Sequence, residues 1–315
     1  MKKPLVGALF AVLLLGAGTA PAVAATSHDA AAPGTVKAAV PGTVGAAATA
    51  GRAAADSTAP AHAGVQTKVS VKAVGFAGTV ALSNCSGSFV RTPGSQPGDP
   101  ALVLSNGHCM ESGFPGPGEV VFNQRSTRSF TLLNASGSGV GTLRASKIAY
   151  GTMTDTDISV YQLTSTYAQI ESRYGIKALE LNTAHPVQGT AITVVSGYWK
   201  RTYSCNVDGF VYRLKEGEWT WKDSVRYTSA CQTIGGTSGS PVIDNATGKV
   251  VAVNNTGNED GQRCTDNNPC EVDENGQVTV REGINYAQET YGIVPCVGPG
   301  NVFDLNRAGC VLPKP

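Results

Sequence analysis

Charged residues are scarce in this chain of 315 residues, and neither sign predominates. Lys and Arg together number 24 and Asp and Glu 23, so the formal net charge is +1, and only 15% of the residues are charged. Proteins that hold nucleic acids through the phosphate backbone need an excess of basic side chains. The composition therefore argues against a nucleic-acid partner, and we expect none.

The sequence also has little that would hold it in a membrane. Its N-terminal apolar run, PLVGALFAVLLLGAGTAP, follows Lys2 and Lys3, is short of a full membrane span and ends near the small residues AVAA. This order is typical of a secretory signal peptide, whereas a transmembrane anchor needs a longer apolar segment. We predict a signal peptide over residues 1–25, with cleavage after Ala24 or Ala25. The mature protein should be secreted and extracellular, with no stable membrane association.

Large apolar side chains are missing from the segment that follows. Residues 26–65 contain no Leu, Ile, Phe, Tyr, Trp or Cys. Such a segment cannot bury enough apolar surface to offset the loss of chain entropy on folding. We therefore predict a disordered pro-segment or linker.

All eight cysteines lie beyond that segment, at positions 85, 109, 205, 231, 264, 270, 296 and 310. An even number of cysteines in an exported chain predicts disulfides. Metal binding is the competing interpretation, but paired C-x-x-C units are absent and the globular region has only two histidines. We expect no metal and no cofactor.

From about residue 66 the chain alternates between short apolar segments and turns rich in Gly, Pro, Asn and Ser. Segments such as TKVSVKAVGF, ALVLSNG, ISVYQL, GTAITVVSG and KVVAVNN have the rhythm of an all-β sandwich or barrel. One interruption, STYAQIESRYG, has helical spacing. Thr164 or Ser165 is available as its N-cap and Gly175 as its stop. We interpret this helix as the connector between two halves of similar size.

Histidine is the scarcest component of a site that uses a hydroxyl nucleophile. His28 and His62 fall in the pro-segment, and His185 precedes a proline and is expected to be a surface residue at the entry to a strand. His108 is different, because it follows an apolar strand and a Ser-Asn-Gly turn and is next to Cys109. It is therefore the candidate general base.

An imidazole base needs a carboxylate to fix its tautomer and stabilise its charged form. Asp157 leads directly into the strand ISVYQL and can be buried there, whereas Asp155 lies between two threonines in a loop, so we favour Asp157. In GGTSGSPV, the glycines allow main-chain N–H groups to converge on an oxyanion. Gly236 and Ser238 are the candidate oxyanion donors and Ser238 the candidate nucleophile, although the stretch alone would fit a flexible polar turn.

The order of these residues along the chain separates the architectures of serine hydrolases. The α/β-hydrolases need G-x-S-x-G followed by a histidine, but Ser240 stands at the last glycine and no histidine follows Ser238. Subtilisin-like enzymes place the aspartate first. The order His108, Asp157, Ser238 on a strand-rich chain leaves only the chymotrypsin-like arrangement.

Three blocks of this sequence resemble the chymotrypsin-like (trypsin-fold) serine proteases, the bacterial secreted members in particular. LSNGHC resembles their A-A-H-C block, DISV their D-I-A-L block, and GGTSGSPV their G-D-S-G-G-P-[LV] block. The resemblance implies His108 as general base and acid, Asp157 as its orienting carboxylate, Ser238 as the acylated nucleophile, and Gly236 with Ser238 as the oxyanion hole. It also implies two six-stranded antiparallel β-barrels with the site between them.

Several positions depart from the family pattern. Thr237 replaces the aspartate that pairs with a freed N-terminus in animal members, and no I-V-G-G-like start is present, so we expect local packing to shape the oxyanion loop. Gln232 falls where trypsins carry the aspartate of the pocket floor, which argues against a deep cation-binding pocket. Asn254 stands where glutamate-specific members carry a histidine. Together with Asn255 and Thr256, it is expected to line the substrate-binding strand.

The resemblance also implies a Cys85–Cys109 disulfide behind the histidine. For the remaining six cysteines, proximity favours Cys205–Cys231, Cys264–Cys270 and Cys296–Cys310, although eight cysteines permit 105 pairings. Residues 271–282 match a calcium-loop pattern at several positions but lack the flanking helices, so a hairpin turn at Asn275-Gly276 is the better interpretation.

We therefore expect an all-β protein made of two six-stranded antiparallel β-barrels with a short interdomain helix. The predicted function is a secreted serine endopeptidase that acts on protein or peptide substrates as a monomer. The alternatives are a catalytically silent binding or adhesion module on the same fold and an esterase-only hydrolase. The predicted segments are a signal peptide (1–25), a pro-segment or linker (26–65), an N-terminal barrel (66–163), a connector with a short helix (164–180), a C-terminal barrel (181–295) and a disulfide-stapled tail (296–315).

Overall fold

The structure is a computed structural model that describes residues 74–315. The predicted signal peptide and the predicted pro-segment lie outside these residues. Within the described part of the chain, no helix is long and apolar enough to cross a membrane.

The first half of the described chain closes into a six-stranded antiparallel barrel. The strands run in the order β1, β5, β6, β7, β3, β2, and a β1–β2 pairing closes the ring. Side chains such as Phe130 and Tyr161 alternate into its interior and pack edge to face there. The strands are β1 Thr79–Ala81, β2 Ser86–Arg91, β3 Pro100–Ser105, β4 Val120–Arg125, β5 Ser129–Leu133, β6 Gly139–Thr152 and β7 Ile158–Thr166, with β4 paired to β6 outside the ring.

The second half forms a ring of the same kind. Its order is β11, β16, β13, β12, β9, β10, with a β10–β11 pairing that closes it, and β14 and β15 extend the sheet beyond β10. The strands are β8 Leu179–Glu180, which pairs parallel to β2, then β9 Ala191–Ser196, β10 Arg201–Glu216, β11 Trp219–Tyr227, β12 Pro241–Asp244, β13 Val250–Gly257, β14 Cys270–Val272, β15 Val278–Val280 and β16 Asn285–Glu289. The structure confirms the predicted fold of two antiparallel barrels.

The connector carries a single α-helix, α1, at Tyr167–Tyr174. Its N-cap is Thr166, so the prediction of Thr164 or Ser165 was wrong. The reason is that β7 extends to Thr166, and only there does the side chain reach the Gln169 main-chain N–H, while the Gln169 side chain accepts from the Thr166 N–H. Gly175 ends the helix in the left-handed conformation, with φ 67°.

The C-terminal tail leaves the second barrel and packs back onto the first. It contains two 3-10 turns, Tyr291–Cys296 and Pro299–Asn301. Phe303 stacks on Tyr150 of β6 with ring centroids 5.9 Å apart. Buried Asn301 accepts a hydrogen bond from the Ser95 hydroxyl and donates to the Pro100 carbonyl. The tail therefore ties the two halves together.

Four disulfides cross-link the described residues and use all eight cysteines. They join the same pairs that the sequence analysis favoured, namely Cys85–Cys109, Cys205–Cys231, Cys264–Cys270 and Cys296–Cys310. Cys85–Cys109 anchors the segment after β3, and Cys205–Cys231 joins β10 to the loop after β11.

The segment that matched a calcium-loop pattern forms the β14–β15 hairpin. Its turn contains Gly276 at φ 79°, and the Asp273 carboxylate accepts the main-chain N–H groups of Asn275 and Gln277. Both carboxylate oxygens of Glu271 accept from the Arg226 guanidinium at 3.0 Å. Asp273 is thus engaged in the hairpin turn and Glu271 in an ion pair.

Candidate active site

His108 is displayed at the end of β3 by a tightly constrained turn. After Ser105 the chain enters a 3-10 turn at Gly107–Cys109. A Cβ at Gly107 would lie 2.1 Å from the Thr152 carbonyl oxygen, so only glycine fits this close approach. The Cys85–Cys109 disulfide fixes the other side of the histidine.

Asp157 is fully buried immediately before β7, with both carboxylate oxygens directed at His108. One oxygen, Oδ2, lies 2.6 Å from His108 Nδ1, and the other accepts the His108 main-chain N–H at 3.1 Å. The side chain of Asn106 donates to the Asp157 carbonyl at 2.7 Å. Asp155, by contrast, is half-exposed and pairs with Lys222. The carboxylate favoured by the sequence is therefore the one that contacts the imidazole.

Opposing effects set the pKa of His108. Burial has the largest single effect and lowers the pKa, but the charge of Asp157 and its hydrogen bond act in the opposite direction. The charge of Glu216, which lines the same cleft, raises the pKa further. Together these effects raise the pKa of His108 above the ordinary histidine value of 6.5. Asp157 thus both orients the ring and favours its charged form.

Ser238 lies in the glycine-rich turn before β12. The turn needs glycine at position 239, because a Cβ there would lie 2.1 Å from the Ser86 carbonyl oxygen. The Ser238 hydroxyl donates to the Asn255 carbonyl at 3.2 Å, and the hydrogen bonds of the described residues do not include one between Ser238 Oγ and His108 Nε2. Both side chains line one cleft of about 370 Å³. The hydroxyl must therefore leave Asn255 to reach the imidazole, a rearrangement common in ligand-free sites.

The main chain before Ser238 forms a type II turn. Thr237 N–H donates to the Ile234 carbonyl at 3.0 Å, and Gly236 has φ 87°, the positive value that this turn requires at its third residue. In the described part of the chain, the N–H groups of Gly236 and Ser238 donate to no protein acceptor. Two main-chain donors are thus available beside the candidate nucleophile.

The orientation of this turn is fixed from outside by Trp199, in the β9–β10 connection. Its indole Nε1–H donates to the Gly235 carbonyl at 2.7 Å. The carbonyl and the N–H of one trans peptide point in opposite directions. Holding the Gly235 carbonyl therefore directs the Gly236 N–H away from Trp199, in the opposite direction within the peptide plane.

Neutral hydrogen bonds hold the inner side of the loop at Thr237. Its buried hydroxyl donates to the Ile234 carbonyl and accepts from Asn254 Nδ2 at 3.2 Å. The Tyr227 hydroxyl donates to Asn254 Oδ1, also at 3.2 Å. Asn254 is thus part of the support of the loop, and an uncharged chain of side chains shapes the turn.

Of the four residues expected to bind substrate, three line the cleft and one does not. Asn254, Asn255 and Thr256 line the cleft, which continues along β13 to Gly257. Gln232 does not line it, because its exposed side chain turns back to the Ser229 carbonyl. Thr233 occupies the cleft wall and donates to Asn285 Oδ1 at 2.6 Å. In this segment the cleft is lined by Thr233 and not by Gln232, whose part in substrate binding stays a prediction.

Other residues of the cleft had not been singled out from the sequence. Phe114 and Trp219 pack edge to face, with centroids 6.0 Å apart, and line the cleft with Glu216. Glu216 accepts the Asn267 main-chain N–H at 2.8 Å, while its other carboxylate oxygen is buried without a hydrogen-bond partner. The long β10–β11 hairpin brings Glu216 and Trp219 to the site, Phe114 comes from the β3–β4 connection, and no local motif marks them.

Two groups of side chains in the described residues have the composition of a metal site. The first, Cys85 with His108 and Cys109, offers no thiolate because the cysteines form a disulfide. The second contains His185, Asp223 and Glu289, none of which lines the cleft. Neither of these two groups in the described residues therefore forms a metal site in the cleft.

Comparisons with known proteins point in one direction. The family described as trypsin-like peptidase domain matches residues 85–253, more than half of the chain. No curated protein sequence matches. The chain is similar to the active form of the Rv3671c protease from M. tuberculosis, at 12% identity and TM-score 0.45, over 78% of this chain and 87% of that one. It is also similar to the MamO protease domain from Magnetospirillum magneticum, at 15% identity and TM-score 0.44, over 70% and 96% of the two chains.

Proposed function

The chain belongs to the family of trypsin-like peptidases and is a serine-type hydrolase. From this premise we propose that it is a secreted, monomeric endopeptidase that cleaves peptide bonds through an acyl-enzyme on Ser238. The observation that carries the proposal is the contact of 2.6 Å between His108 Nδ1 and the buried carboxylate of Asp157, in the cleft that Ser238 also lines. A binding module would have no need of a buried carboxylate aimed at a histidine.

The first half of the proposed reaction forms the acyl-enzyme. His108 Nε2 takes the proton of Ser238 Oγ as the oxygen attacks the scissile carbonyl carbon. The resulting oxyanion accepts hydrogen bonds from the Gly236 and Ser238 N–H groups. The C–N bond then breaks, and His108 gives its proton to the leaving amine. Asp157 stays ionised and stabilises the imidazolium formed in between.

The second half repeats these steps with water as the nucleophile. His108 takes a proton from water as the water oxygen attacks the ester carbon, and the same two N–H groups hold the oxyanion. The C–O bond to Ser238 then breaks, and His108 returns the proton to Ser238 Oγ. The products are the free enzyme and a carboxylic acid, which loses its proton to solvent, and His108 carries every proton transfer within the site.

The cleft also supports a proposal about the class of substrate. Among its lining residues in the described chain are the carboxylates of Glu216, Glu259 and Asp266, and no lysine or arginine. Attraction between these carboxylates and a positively charged peptide lowers the free energy of the bound state and speeds association, and dissolved salt weakens this attraction. We expect peptides with basic residues flanking the scissile bond to be preferred, and the preference to weaken as ionic strength rises.

A peptide-library digestion tests the proposed activity. The protein without residues 1–65 is incubated with a mixed peptide library, and products are identified by mass spectrometry, with Ser238→Ala as the matched control. New termini from the wild type and none from the variant are expected. Hydrolysis of ester substrates without peptide cleavage would favour an esterase, and the absence of both activities would favour a silent binding module.

The proposed export is tested by expressing the full chain in a bacterial host that secretes proteins. We expect the protein in the medium with residues 1–24 or 1–25 removed, as read from the mass of its N-terminal peptide. Deletion of residues 1–25 should keep it inside the cell. Retention of an intact N-terminus in the cells that express the full chain would contradict the proposal.

A further inference from the structure

Outside the active-site cleft, three ionisable side chains meet on the second barrel. His185 lies in the connection between β8 and β9, Asp223 lies in β11 and Glu289 ends β16. His185 Nε2 is 3.2 Å from Asp223 Oδ2 and 3.0 Å from Glu289 Oε1. From its place before a proline, His185 was expected to be a surface residue at the entry to a strand. Its two acidic neighbours come from distant strands and were not visible there.

The other nitrogen of the His185 ring fixes which atom faces the carboxylates. Nδ1 lies 2.7 Å from the Pro186 carbonyl oxygen, an acceptor, so Nδ1 carries a proton. With that proton on Nδ1, Nε2 faces Asp223 and Glu289 and can present its lone pair to an ion between them. Metal-binding histidines are commonly held in this way, with one nitrogen donating to a main-chain carbonyl and the other free to bind.

Glu289 is a buried carboxylate that the protein leaves unsatisfied. Its side chain is only 5% exposed, and neither carboxylate oxygen accepts a hydrogen bond in the described structure. The nearest nitrogen, His185 Nε2, lies 3.0 Å from Glu289 Oε1, but with the ring proton on Nδ1 it has none to donate. Ionising a buried carboxyl without a partner is costly, and burial raises the pKa of Glu289 to about 9. A cation that contacts all three groups removes this cost.

The neighbouring groups hold two of these side chains in place. The His185 ring packs against Phe210 and Tyr291, with centroids 4.2 and 5.3 Å away, and the Tyr291 hydroxyl donates to Asp223 Oδ2 at 3.0 Å. Asp223 and Glu289 also line a surface depression, whose other charged groups, Asp155 and Lys222, pair with each other. Within the described residues, no lysine or arginine side chain pairs with Asp223 or Glu289.

We propose that His185, Asp223 and Glu289 bind a divalent transition-metal ion, with Zn²⁺ the best match to the ligand set. An imidazole with two carboxylates suits zinc, whereas calcium and magnesium take oxygen ligands. Ligands about 2.0–2.2 Å from a tetrahedral zinc ion lie roughly 3.3 Å apart. The contacts of 3.0–3.3 Å around His185 Nε2 match that spacing. The ion would clamp the β8–β9 connection to β11 and β16.

Zinc titration of the purified chain, stripped of metals with a chelator, tests the site. Binding is followed by isothermal titration calorimetry and by the thermal unfolding midpoint, Tm. We expect one zinc ion per chain and a rise in Tm of about 5–10 °C when free zinc is a hundredfold above its Kd. His185→Asn and Glu289→Gln should each abolish the Tm rise. Glu180→Gln is the control, because this half-exposed carboxylate pairs with Lys249 and does not belong to the site.

Two results would overturn the proposal. The first is a wild-type chain that neither binds zinc nor gains stability from it. The second is a zinc response that survives in His185→Asn, which would place the ion elsewhere. If Glu289→Gln does not fold, His185→Asn decides the question alone, because His185 is 39% exposed and its replacement leaves the barrel core intact.

Discussion

At the scale of single residues, two carboxylates affect the pKa of His108 in different ways. Asp157 contacts the ring directly, whereas Glu216 reaches the cleft from the β10–β11 hairpin and acts through its charge. Both raise the pKa of His108, and burial opposes them. Since the base must be neutral to accept a proton, activity should be half-maximal at a pH above 6.5, the ordinary histidine value.

We expect Glu216→Gln to move the acid limb of the pH profile to lower pH. The substitution removes a negative charge that favours the imidazolium, so His108 loses its proton at lower pH. The measurement is kcat/KM against pH for a peptide substrate. Glu218→Gln, an exposed residue of the same hairpin, is the matched control and should leave the limb in place. A limb unchanged in Glu216→Gln would contradict this account of the His108 pKa.

Trp199 is a positioning residue for the oxyanion donors. Trp199→Phe keeps an aromatic ring but loses the N–H that holds the Gly235 carbonyl, so the peptide can rotate and withdraw the Gly236 N–H. Loss of one oxyanion donor typically costs at least a hundredfold in rate. We expect kcat to fall about 10- to 100-fold with KM nearly unchanged, in steady-state kinetics.

The control for Trp199→Phe is Tyr198→Phe. Tyr198 packs edge to face on Trp199, with ring centroids 4.9 Å apart, and its hydroxyl makes no hydrogen bond in the described structure. Its variant should behave as wild type. A fall in kcat of equal size in both variants would assign the effect to surface packing and not to the indole N–H.

At the scale of elements, the sequence predicts helix α1 but does not determine which residue caps it. The run Thr-Ser-Thr before the helix offers three hydroxyls in a row, and the length of β7 decides which one caps. Thr166→Ala should lower the free energy of unfolding by about 1 kcal/mol, in urea titrations. Ser165→Ala is the control and should change stability little. A larger loss in Ser165→Ala would place the cap where the sequence alone had suggested.

In the candidate active site, likewise, some residues could be predicted from the sequence and others could not. The contact of His108 with Asp157, beside the cleft that Ser238 lines, could be predicted because each of the three stands in a short block whose chemistry restricts its neighbours. The roles of Glu216 and Trp199 could not be predicted, because the β10–β11 hairpin brings Glu216 to the cleft and the β9–β10 connection brings Trp199 to the Gly235 carbonyl, both from parts of the chain distant from His108. Gln232 was assigned by counting back from Ser238, and the length of the intervening loop put Thr233 in the cleft instead.

At the scale of the whole molecule, the tail makes the two barrels interdependent. Phe303 is 3% exposed and stacks on Tyr150 of the first barrel, although it follows the last strand of the second. Phe303→Ala should lower the free energy of unfolding by about 3–4 kcal/mol, measured in urea, because it opens a cavity at this junction. Val302→Ala is the control, since Val302 is 51% exposed and should contribute little. Equal losses in the two variants would contradict this role for the tail.

Covalent labelling tests the central claim, an acylated Ser238 activated by His108, most directly. The chain without residues 1–65 is treated with a fluorophosphonate, and the modified residue is located by peptide mass spectrometry. The account predicts one adduct per chain, on Ser238, and a labelling rate in His108→Ala at least about a thousandfold lower. No adduct, an adduct on another residue, or equal labelling of wild type and His108→Ala would contradict it.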